Sequence, residues 1–200
     1  MMPQAIIPIV EGFAEVESVP ILMRRVLDGT GAPSISVARP FRVRRYQIVR
    51  EGQLERALQQ AVGSRPAAAG IMLLMDADDD CPARLGPALL ERCSKVTQLP
   101  VSVVLATREF EAWFLGSKES LRGARGIATN AAAPENPESI RGAKERLTAN
   151  MQRRRYIAVD DQPALAHAMD LQLAQTRCRS FDKFVREIEY LSSAIAGSPS

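Results

Sequence analysis

Histidine is almost missing from this chain: of 200 residues, only His167 carries an imidazole. That argues against a zinc or iron centre built on histidine. Cysteine is scarce too. Cys81, Cys93 and Cys178 lie far apart, in neither a zinc-binding spacing nor a disulfide framework. No apolar run approaches the roughly 20 residues a membrane helix needs, so no membrane partner is expected. No Gly-x-x-x-x-Gly-Lys segment occurs, which excludes a nucleotide-binding loop of that type. The opening MMPQAIIPIVEG has no basic region and no small-residue cleavage site, so it does not read as a secretory signal. A cytoplasmic location is the expectation. Any metal held here must be held by carboxylates.

What is present fits one globular domain. The hydrophobic share is 46% and the charged share 24%, both ordinary. Residues 1–115 are expected to form the core that carries the site. Residues 116–196 read as a helical extension and 197–200 as a disordered tail. Net charge is +3, and 22 of the 26 basic residues are Arg, whose planar fork suits phosphate. Two basic clusters stand out: Arg39, Arg42, Arg44, Arg45 and Arg50, then Arg153, Arg154 and Arg155. Such runs ordinarily form solvated faces, and that is the expectation for Arg42, Arg44 and Arg45.

The chain is organised around IMLLMDADDD, residues 71–80. A short apolar run bounded by turn residues reads as a buried strand of a parallel sheet. It runs into Asp76, Asp78, Asp79 and Asp80, four carboxylates that repel one another unless a cation or water screens them. Other strands are expected at 5–10, 34–38 and 101–106. Pro8 suggests that the first lies at an edge or carries a bulge. Helical spacing follows each strand. Ser18 reads as the cap of a first helix with Pro20 in its opening turn, closed by Asp28-Gly29. Further helices are expected over 51–62, 83–94, 138–151 and 161–175. A last helix is expected from Ser180, burying Phe181, Phe184, Val185, Ile188, Leu191 and Ile195. Thr107 reads as a cap with Glu109 and Glu111 in the turn after it. Phe110, Trp113 and Phe114 read as core residues. The alternation of strand and helix predicts an α/β fold with a mostly parallel sheet flanked by helices and a helical C-terminal portion.

Three strands therefore end in carboxylates: Glu11 with Glu15, then Asp76 and Asp78, then Glu109 or Glu111. In open α/β sheets ligands bind outside the carboxyl ends of strands. If the three strands are neighbours, their ends lie about 5 Å apart. Their carboxylates are then placed to share Mg²⁺ or Mn²⁺, hard cations that prefer oxygen.

A Glu-Gly after the first strand and an Asp-x-Asp after a later one resemble the Toprim pattern, the metal-binding α/β domain of topoisomerases, primases and some nucleases. Glu11-Gly12-Phe13-Ala14-Glu15 is similar to the Glu-Gly-x-x-Glu of the OLD-type nucleases. Glu111, in REFEAWFL, resembles the acidic residue that follows their next strand, and Lys144, in GAKERL, their late lysine. More closely, VEG, EVE, LMDADDD, REFEAWFL, GAK and SFDKFVREI together resemble a small stand-alone Toprim-like family called domain of unknown function 4276. The resemblance implies a Toprim-like fold and metal-dependent phosphodiester chemistry. In that reading Glu11, Glu15, Asp76 and Asp78 are metal ligands, with Glu11 alternatively a general acid or base. Glu111 completes the second metal site, and Lys144 neutralises the phosphate in the transition state. Arg108, Arg153, Arg154 and Arg155 contact the nucleic-acid backbone. The expected activity is that of a DNA nuclease subunit working with a separate ATPase, in phage defence. Two other readings compete: a non-catalytic interaction module, and a phosphatase or nucleotidyl transferase acting on small phosphates.

Overall fold

Strand side chains alternate between two faces, and here both faces are covered. Strands β1 (Gln4–Val10), β2 (Ile35–Val37), β3 (Phe41–Arg42), β4 (Ala68–Asp76) and β5 (Val101–Ala106) form one parallel sheet in the order β2-β1-β4-β5, with β3 also pairing with β1. The structure, a computed structural model, describes residues 4–31 and 35–197. Ser34 and the tail residues 198–200, on which two sequence expectations fell, lie outside them. The helices are α1 (Phe13–Thr30), α2 (Arg45–Val49), α3 (Gln53–Gly63), α4 (Pro82–Ser94), α5 (Ala112–Gly116), α6 (Ala143–Asn150), α7 (Ala158–Ala168), α8 (Leu171–Arg177) and α9 (Arg179–Ala196).

Ile6, Val10, Met72, Leu74 and Val104 point into a core made with α1, α7 and α9. Ile7, Ile9, Ile71, Leu73, Met75 and Leu105 point into another, made with α3 and α4. Burial on both sides is why the strands read as unbroken apolar runs. Behind the end of β5, Trp113 packs on Phe110, Phe181 and Phe184 at ring-centroid distances of 4.7, 5.0 and 5.2 Å. This aromatic cluster ties the 107–116 segment to α9.

Several local expectations are corrected. β4 begins at Ala68 rather than Ile71, so Gly70 sits inside the strand. A Cβ there would come within 3.1 Å of Ile195, so its small size lets α9 lie close. Pro8 is in a central strand, not at an edge. Ile6 and Val10 accept from Ala38 and Val43, so by the period of two, the backbone of Pro8 faces the gap between β2 and β3. Its missing N–H breaks no ladder bond there. The irregularity in β1–β4 pairing falls at Ala5/Ile6 instead.

Helix α1 starts at Phe13 behind Gly12, and Ser18 and Pro20 lie inside it, both buried. The cost of an internal proline, about 3 kcal/mol, is offset by the buried stripe Val19, Leu22, Met23, Val26 and Leu27. It ends with Gly31 in the left-handed region (φ 69°), past Asp28-Gly29. The single helix expected over 161–175 is two. The chain turns at Met169-Asp170, where Asp170 caps α8 by accepting from Leu173 N–H at 3.0 Å. Ser180 is not the cap of α9. It lies in the first turn, where its Oγ accepts from Trp113 Nε1 at 2.8 Å and Thr107 N–H at 3.1 Å. Thr107 caps nothing. Between residues 116 and 137, Leu121, Ile127 and Ala131 are buried.

Gly116 gives a direct test of this packing. A Cβ on it would stand 2.5 Å from Cys178 Sγ, and Cys178 is fully buried. Gly116→Ala is expected to cost about 1–3 kcal/mol, measured by urea denaturation. Adding Cys178→Ala should recover part of that loss.

Candidate active site

β1, β4 and β5 are adjacent and parallel, so their carboxyl ends meet on one rim. Val10 pairs with Leu74, and Asp76 with Ala106. Glu11 follows the last residue of β1, and Asp76 is the last residue of β4. Glu111 lies beyond β5 at the start of α5, held inward by its buried neighbours Phe110, Ala112 and Trp113. Glu15, in the first turn of α1, adds a fourth carboxylate. Its place at a helix N-terminus is favourable on its own account.

Asp76 is 9% exposed, and its Oδ1 accepts from Phe110 N–H at 2.7 Å. Glu111 is fully buried. Its Oε1 accepts from Tyr156 Oη at 3.0 Å and from Gln162 Nε2 at 3.2 Å. The same Gln162 amide lies 3.4 Å from Glu15 Oε1, and its Oε1 accepts from Ser18 at 2.6 Å. Lys144 Nζ stands 3.7 Å from Glu111 Oε2. Glu11 Oε2, Glu15 Oε2 and Glu111 Oε2 are buried with no hydrogen-bond partner. Buried polar atoms are normally satisfied, and of these three only Glu111 Oε2 has, among the described residues, a cation near it, Lys144.

Burial and like charge also shift the protonation equilibria of the rim. Burial, with a smaller push from Glu15 and Asp78, raises Glu11 to about 7. Asp76 is raised well above the usual range by burial and then by Glu111, Glu11 and Glu15. Glu111 is raised by burial against the opposing pull of Lys144. Burial works against the charge on Lys144, yet Glu111, Asp76, Glu109 and Glu15 together hold its pKa above the usual value.

Arg45 clamps the aspartate loop. Its guanidinium donates to Asp76 O, to Ala77 O at 3.2 Å and to Asp80, and its Nε lies 3.3 Å from Asp78. Asp78 itself is mostly exposed, with a left-handed backbone (φ 49°). Arg45 is therefore not part of a solvated face, as the sequence suggested. Nor is Arg42, which stacks 3.8 Å over Phe13 and donates to Glu11 O at 3.3 Å. The competition between Glu109 and Glu111 has a geometric answer. Glu109 Oε1 accepts from Gly142 and Ala143 N–H at 2.8 and 3.0 Å, capping α6, while Glu111 faces the other carboxylates.

Among the arginines, Arg108 is half-buried near the aspartate loop and pairs with Asp79 at 3.3 Å. Arg153 and Arg155 are exposed. Arg154 is committed elsewhere, with both oxygens of the buried Asp161 at 2.8 Å. Sequence reasoning missed Gln162, Tyr156 and Arg45. Tyr156 follows the arginine run and Gln162 lies inside a helix, so neither carried a motif. Among the described residues, no three Asp, Glu, His or Cys side chains converge closely enough to hold an ion as they stand. None of the described helices is long and apolar enough to cross a membrane.

No curated protein and no solved structure matches the chain. One family model matches residues 10–189, a span that includes every carboxylate of the rim. The chain belongs to the family described as a domain of unknown function, DUF4276.

Proposed function

We propose that this protein is a divalent-metal-dependent phosphodiesterase with a Toprim-like site. In this reading it is a DNA nuclease subunit that works beside a separate ATPase, in phage defence. The observation that carries the reading is the set of three buried carboxylate oxygens without a hydrogen-bond partner on Glu11, Glu15 and Glu111 beside Asp76. Hard oxygen donors of this kind fit Mg²⁺ or Mn²⁺ and do not fit a soft metal. Glu11, Glu15, Asp76 and Asp78 would hold the metal by drawing closer together than they stand, with Glu111 completing a second position. When bound, such ions supply Lewis acidity and an activated water.

The chain's own groups have distinct tasks. Glu11 has an alternative to ligation: left off the metal, with its pKa raised to about 7, it can gain and lose a proton near neutral pH, the property a general acid or base needs. Lys144 stays cationic and stands ready to offset charge on a transferring phosphate. Gln162 and Tyr156 fix the orientation of Glu111 and Glu15, and Arg45 fixes the aspartate loop. Arg108 and the exposed Arg153 and Arg155 suit the sugar-phosphate backbone rather than bases.

Plasmid nicking tests the reading. Supercoiled DNA incubated with the native chain and Mn²⁺ or Mg²⁺ should convert to open circles, and EDTA should stop it. A chain that neither nicks DNA nor shows a thermal shift with either ion would overturn the proposal.

A further inference from the structure

Beside the carboxylate rim lies a small open pocket of about 170 Å³, lined by Asp78, Asp79, Arg108, Glu109, Arg141 and Gly142. In it, two guanidinium groups from distant parts of the chain converge on one oxygen. Asp79 Oδ1 lies 2.7 Å from Arg141 NH2 and 3.3 Å from Arg108 NH1. The Asp79 side chain is 71% exposed, so burial does not force this arrangement.

The backbone holds it at a cost. Asp78 and Arg108 both have positive φ, 49° and 62°, a region non-glycine residues rarely adopt. They are bonded to each other, with Asp78 N–H donating to Arg108 O at 3.0 Å. Gly142, with φ 69°, turns the chain after Arg141, and Glu109 pins that turn through two backbone N–H groups. The loops carrying the two arginines are thus tied to one another and to the rim.

We infer that Arg108 and Arg141 form a subsite for one phosphodiester group of a nucleic-acid strand, and that Asp79 occupies it until the strand arrives. A carboxylate and a phosphate both offer oxygens that match a guanidinium fork. Exposed ion pairs are weak, so a phosphate can displace Asp79 without unfolding anything. The inference rests on the phosphodiesterase reading for its ligand class. It adds Arg141 as a binding residue and Asp79 as an internal competitor.

The test is fluorescence anisotropy with a labelled 20-base-pair DNA duplex in EDTA, titrated over a range of salt. All three side chains are solvent-accessible, so the variants should fold. Arg141→Ala is expected to weaken binding about 3- to 10-fold and to reduce the salt slope by about one. Asp79→Asn should tighten binding by a similar factor. Unchanged affinity and slope in both variants would overturn the subsite, as would no binding by the native chain. Binding that responds as expected, with no metal-dependent nicking by any variant, would sink the nuclease reading and leave the subsite standing.

Discussion

Asp76→Asn is expected to stabilise the metal-free protein by about 1–4 kcal/mol at pH 7 while reducing metal-dependent cleavage at least about 100-fold. The gain follows from the fold. Asp76 is buried and surrounded by Glu111, Glu11 and Glu15, which raise its pKa. An unfolded chain releases that proton near the ordinary value of 3.8, whereas the folded chain keeps it to much higher pH. Between those values the folded state binds more protons, so stability falls as pH rises. Asparagine carries no such proton, and its Oδ1 can still accept from Phe110 N–H. The advantage of the variant should therefore shrink toward pH 4, where native Asp76 is protonated in the folded state and close to half protonated in the unfolded chain. Bound Mn²⁺ should reverse the ranking, since cations favour the ionised carboxylates. Thermal melts of both proteins from pH 4 to 8, with EDTA and with Mn²⁺, read all of this. A difference that does not change with pH would remove the electrostatic account of the site.

Asp161→Ala is expected to cost about 2–4 kcal/mol in urea denaturation. Asp161 is fully buried and accepts from Arg125 Nε at 2.7 Å, Arg154 NH2 at 2.8 Å and Ile157 N–H at 2.8 Å. Those bonds fasten the start of α7, the helix that presents Gln162. Breaking a buried ion pair by removing one partner commonly costs about 3–5 kcal/mol. Here the abandoned guanidiniums are about one-third exposed and regain water, which lowers the range. Loosening α7 should also weaken Mn²⁺ binding, because Gln162 bridges Glu15 and Glu111. Calorimetric titration that finds full metal affinity in a destabilised Asp161→Ala variant would show that α7 does not organise the rim.

The sheet was legible because its strands are doubly buried runs of one polarity, and β1, β4 and β5 lie where apolar residues cluster. The acidic strand ends were legible for the same reason, since a carboxylate directly after such a run breaks the pattern. Helix boundaries were less so. Ser18 and Ser180 look like caps in sequence, yet each is drawn into the interior by a partner far along the chain, Gln162 and Trp113 respectively. Pro20 misplaced the start of α1 because local propensity was outweighed by the buried stripe beyond it. Arg45 was hidden by a charge pattern that resembles any solvated face. Its role depends on the loop of 76–80 folding back over it.

The bridge from Gln162 to Glu15 spans 147 positions. At about 5–20 residues per second of synthesis, the two ends of that bridge emerge roughly 7–30 s apart. During that interval a nascent chain has its first carboxylates but not the amide that orients them, nor Tyr156. The rim is therefore completed only after α7 has been made, when most of the chain already exists.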